Sequence, residues 1–121
     1  MTSSFQTASG QYTLAQSHLI SSIQTLFRHD EHLCHFLFHH QELRLRETPA
    51  ELLKEARAFS RGEQILIQIG LDLWSDSGSA RISQLLKHLD DENILALLRA
   101  ILRCREMDLY VTLEEGPPCF D

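Results

Sequence analysis

The sequence predicts an all-α protein, a compact bundle of five or six helices. Apolar residues recur at helical spacing through most of the chain, cap-forming residues sit where each periodic run begins, and strand-like alternation is confined to one short stretch. At 121 residues the chain suits one domain that can bury a core without disulfide staples. Residues 13–113 are expected to form that domain, with residues 1–12 and 114–121 as flexible ends.

The first helix is expected to start at "TLAQ", where Thr13 and Gln16 have the form of a capping box. Leu19, Ile23, Leu26 and Phe27 follow as its apolar stripe. Asp30 can end this helix and cap a second, or the two can be continuous; Leu33, Cys34 and Leu37 carry the apolar face on towards Leu45. "TPAE" is the clearest punctuation: Thr48 at the cap, Pro49 in the first helical position and Glu51 in the third. It opens a short helix with Leu52, Leu53, Ala56 and Phe59 inward.

"SRGE" repeats the capping pattern at Ser60 and Glu63 and begins the helix expected at the centre of the fold, residues 61–74. Ile65, Leu66, Ile69 and Leu73 make one stripe, and Ile67, Leu71 and Trp74 cover much of the rest. A helix apolar nearly all round must be surrounded by others. After the loop "SDSGS", Ile82, Leu85, Leu86 and Leu89 mark a short helix. Asp90 can cap the next, with Ile94, Leu97, Leu98, Ile101 and Leu102 inward. "LYVTL" (109–113) alternates and is β-prone.

The order of the last elements gives the C-terminal half a winged-helix-like alternative with one short strand. In such a domain the helix after Asp90 would lie in the major groove. Its first turn carries Asp90, Asp91 and Glu92, the wrong sign beside phosphate, so nucleic acid is an unfavoured partner. The formal charge of −6 points the same way. No run is long and apolar enough to span a membrane, and "MTSSFQTASG" has neither the basic start nor the apolar stretch of a secretory signal. Cys34, Cys104 and Cys119 are odd in number and form no CxxC pair, so reduced thiols in a cytoplasm are expected.

"RHDEHLCHFLFHH" (28–40) holds five of the seven histidines. Read as one helix, it places His29, His32, His35 and His39 away from the face of Leu33, Cys34 and Leu37, on an exposed surface that is the candidate contact for a partner. His35 with His39, or His32 with His35, could chelate an ion. A third ligand would have to come from His18, His88 or a carboxylate elsewhere, and no second motif announces it, so neither a dedicated metal site nor a cofactor is expected. Protonating all seven histidines would carry the formal charge from −6 to about +1, which makes a pH response a further reading.

Motifs for nucleophilic, phosphate-binding and dinucleotide chemistry are absent, and Cys34 falls on the apolar side away from its histidine neighbours. The expectation is a non-enzymatic protein that acts by binding another protein, as an adaptor, inhibitor or regulatory subunit, with a homodimer also open. A winged-helix DNA-binding regulator is the alternative, and a histidine-based metal-binding protein a third.

Overall fold

Helix α4 (Arg61–Ser75) is the element around which the chain closes. Ile65, Leu66, Ile67, Ile69, Gly70 and Leu71 are all buried on it, and α1 (Leu14–Leu26), α2 (Glu31–Leu37), α3 (Pro49–Glu55) and α5 (Ile82–His88) pack against it. The last helix, α6 (Asp91–Cys104), lies chiefly along α1. The computed structural model describes residues 14–39, 41–42 and 44–107. Among them every regular element is helical, and the only extended pairing is one antiparallel bridge between Phe38 and Leu45. The expected cap at Thr13, the strand at 109–113 and the ends 1–12 and 114–121 lie outside the described residues.

Three of the helix starts follow from local chemistry. The Thr48 side chain accepts the Glu51 amide at 3.2 Å, with Pro49 opening α3. Ser60 and Glu63 form a reciprocal capping box: Ser60 Oγ accepts the Glu63 amide at 3.2 Å, and Glu63 Oε1 accepts the Ser60 amide at 3.0 Å. Asp90 Oδ1 accepts the Asn93 amide at 2.9 Å at the head of α6. Each bond satisfies an amide that helix geometry leaves without an internal partner.

The stretch 28–40 is not one helix. It is helical only over Glu31–Leu37, with a turn before it and extended backbone at Phe38 after it. Two tertiary demands set these limits. The Asp30 carboxylate makes no capping bond to α2 and instead accepts from Asn93 Nδ2 of α6, at 3.2 Å. Phe38 leaves the helix to bury its ring edge-on against Trp74, 5.1 Å between centroids, while the Arg46 amide bonds back to Leu37. Leu33, Cys34 and Leu37 are buried as the periodicity predicts. Trp74 and Leu73, expected among the most central side chains, are only half-buried at the edge of the core.

Helix α6 is rotated from the orientation its apolar pattern predicts. Its buried face is Asn93, Ala96, Leu97 and Ala100, whereas Leu98 and Ile101 are exposed and Ile94 and Leu102 half-buried. The reason is the contact with α1. The buried Ser22 hydroxyl donates to the Ala100 carbonyl, and a backbone acceptor can be reached only where small residues let the helices come close. Arg103 Nη1 adds a bond to Ser21 Oγ at 3.0 Å.

The loop after α4 is held by one side chain. Asp72 Oδ1 accepts the Gly78 and Ser79 amides at 2.8 and 2.9 Å, and Oδ2 accepts the Ala80 amide at 2.8 Å. This draws Gly78 onto α4 so closely that a Cβ there would stand 1.7 Å from the Gln68 carbonyl oxygen. Gly78→Ala should therefore cost at least about 2 kcal/mol in urea unfolding, since the obstacle is backbone and cannot rotate aside. A midpoint equal to wild type would show that the loop is free to lift.

Candidate functional site

The four histidines expected to share a face are spread over three local structures. His29 sits in the turn before α2, with Nδ1 3.5 Å from Glu92 Oε2 of α6. His32, in the first turn of α2, places Nε2 2.8 Å from Glu63 Oε2 of α4. His35 is exposed, 3.6 Å from Glu31 on its own helix. His39 lies beyond the helix end, its Nδ1 accepting the Gln41 amide at 3.2 Å. The expected i, i+4 helical pair of His35 and His39 does not form, because Phe38 between them is extended. His18 faces Glu106 at 3.5 Å, and His40 lies outside the described residues.

His32 belongs to a cluster at one end of the bundle. One potential ligand atom from each of Asp30, His32 and Glu63 lies within 4.8 Å of the other two. The cluster borders a cleft of about 330 Å³ lined by Asp30, Ser60, Gly62, Glu63, Leu66, His88, Leu89, Asp90 and Asn93. The starts of α2, α4 and α6 and the end of α5 meet there. The Ser60 backbone amide and then the His32 ring hold the Glu63 carboxyl below the usual carboxylate range. Asn93 is more than nine-tenths buried; its Oδ1 has no hydrogen-bond partner among the described residues.

Sequence reasoning assigned Asp30 and Glu63 to helix caps and did not single out Asn93. For Glu63 that assignment is correct and incomplete, since Oε1 serves the cap and Oε2 meets a histidine 31 residues away. No local signal announces the second contact. Cys34 is a core group: burial, and then the neighbouring Glu31 charge, push its thiol up to about 12, so no thiolate is available near neutral pH.

Exposed apolar side chains lie on α5 and, separately, on α6. Ile82 and Leu86, one turn apart, are 73% and 74% exposed, and Leu98 and Ile101 are 43% and 45% exposed. Arg81, Lys87 and Arg105 stand exposed in the same segments, and α5 has no acidic residue. No helix of the described residues is long and apolar enough to cross a membrane.

No protein-family model, curated protein or solved structure matches this chain.

The lowered Glu63 pKa sets the sign of a pH effect. Unfolded, Glu63 takes up its proton at about pH 4.3, while the folded carboxylate holds out to lower pH. Its contribution is thus complete above that value and is lost as pH falls through the folded pKa. In thermal unfolding, Glu63→Gln should lower the midpoint at pH 7, with the gap to wild type closing towards pH 3. A gap independent of pH would remove the carboxylate charge from the account.

Proposed function

We propose that this protein acts by binding another protein, as an adaptor, inhibitor or regulatory subunit, through the exposed apolar residues of α5, with those of α6 as further anchors. The observation that carries this reading is the exposure of Ile82 and Leu86, with Leu98 and Ile101 on the next helix. Single exposed apolar residues are ordinary. Paired ones at helical spacing on consecutive helices offer the anchors that a partner segment needs. Arg81 and Lys87, exposed next to Ile82 and Leu86 on a helix with no acidic residue, favour a partner segment with apolar anchors and acidic flanks. A buried, unreactive Cys34 and the absence of a CxxC pair are consistent with a reducing compartment such as the cytoplasm.

The double variant Ile82→Asp/Leu86→Asp tests this surface without disturbing the core, because exposed substitutions ordinarily change stability by less than about 0.5 kcal/mol. Affinity capture from the native host with quantitative mass spectrometry should show a partner retained by wild type and lost from the variant at an unchanged thermal midpoint. Equal retention by both would place the contact elsewhere. Loss of self-association in size-exclusion chromatography would identify the partner as a second copy.

A winged-helix regulator is the second reading, supported by the order α4, α5, α6 and the two-residue junction of Leu89 and Asp90. Against it, α6 presents exposed Asp91 and Glu92 where phosphates would lie closest. Fluorescence anisotropy at physiological salt should show no binding to duplex DNA at about micromolar concentration. Micromolar or tighter binding that weakens steeply with salt would promote the regulator.

A further inference from the structure

The histidine stretch alone offers at most half of a metal site; the fold brings α4 up to it. We propose that Asp30, His32 and Glu63 are the protein ligands of one divalent transition-metal ion, with Zn²⁺ as the reference ion, bound at the mouth of the α2–α4–α6 cleft. One ligand atom from each residue already lies within 4.8 Å of the others. Ligands around a single zinc ion at about 2.0–2.2 Å stand roughly 3–3.5 Å apart, so side-chain rotations of an ångström or so complete the set.

Each carboxylate is held by one oxygen and keeps the other in hand. Glu63 Oε1 is fixed by the Ser60 amide, leaving Oε2 beside His32 Nε2. Asp30 Oδ2 is held by Asn93 Nδ2, leaving Oδ1. This is the support that outer hydrogen bonds give to metal-binding carboxylates, fixing their aim before the ion arrives. The starts of α2 and α4 work against a cation, at roughly half a positive charge each. Two full carboxylate charges at those same positions outweigh them.

A second observation also points to a ligand. The Asn93 carbonyl oxygen, on a side chain more than nine-tenths buried in the wall of this cleft, has no donor among the described residues. A buried acceptor left unmade is costly, and a bound water or ion is one way such a group is satisfied. A metal-bound water admitted by a small shift of the side chain would supply the donor. Three protein ligands and an open side towards a cleft leave a coordination position for such a water. One imidazole with two carboxylates favours a transition ion over Ca²⁺ or Mg²⁺, which take oxygen ligands.

The competing account is that His32 and Glu63 are an ion pair and nothing more. Calorimetric titration of tag-free protein with Zn²⁺ separates the two. One ion per chain should bind with a Kd of about 10 μM or tighter. His32→Ala and Glu63→Gln should each weaken it by about ten-fold or more, and His35→Ala should leave it unchanged. Glu63→Gln keeps an amide oxygen for the cap, so a fold loss in the alanine variant does not decide the matter alone. Absence of one-to-one binding below about 100 μM would overturn the proposal. So would binding that survives His32→Ala and Glu63→Gln and disappears with His35→Ala or His39→Ala, which is chelation by surface histidines.

Discussion

Phe27 lies against α4 where Gly70 has no side chain. A Cβ at Gly70 would stand 2.7 Å from Phe27 Cζ and 3.1 Å from Leu37 Cδ1, so both side chains occupy space that any other residue there would claim. Phe27 follows directly on α1 and Leu37 is the last residue of α2, so one gap on α4 seats the end of each. The turn between them has to occur within residues 27–30, and α2 must start beside the first turn of α4. The 2.8 Å approach of His32 to Glu63 depends on this placement. So does the reach of Asp30 towards Asn93.

What could be read from the sequence was what local chemistry decides. Thr48, Ser60 and Asp90 cap the helices they precede because an oxygen three residues upstream suffices for an amide bond. The density of apolar residues in α4 likewise forces burial wherever its neighbours lie. The rotation of α6 was hidden because two adjacent arcs of that helix are apolar. The tie was broken by Ser22, a residue about which periodicity says nothing. The histidine stretch was misread by assuming that helical geometry continued through Asp30 and Phe38. Asp30 is engaged by a side chain 63 residues away, and Phe38 is turned out of the helix into the Trp74 contact.

The exposed histidine surface is also electrostatically different from the like-charged strip that a single helix would make. His18, His29, His32 and His35 each stand within 4 Å of a glutamate. The 3.5–3.6 Å pairs involve well-exposed glutamates and are individually worth little in water. The His32–Glu63 pair is shorter, and its carboxylate is tied to the capping box. Protonation of these rings would bring charge up to acids already in place, which reduces the repulsion among neighbouring imidazoliums.

The Ser22–Ala100 bond joins residues 78 apart, and it lies in the contact between the first and last helices of the described fold. During synthesis, α1 is made long before the surface it needs. At about 5–20 residues per second, Ser22 waits on the order of 4–16 s for Ala100 to be translated. For that interval the nascent chain carries an amphipathic helix without its principal neighbour, a natural substrate for a chaperone on the ribosome. A stalled or truncated translation product ending before α6 would carry the same sticky helix permanently, and protein quality control would have a ready handle on it.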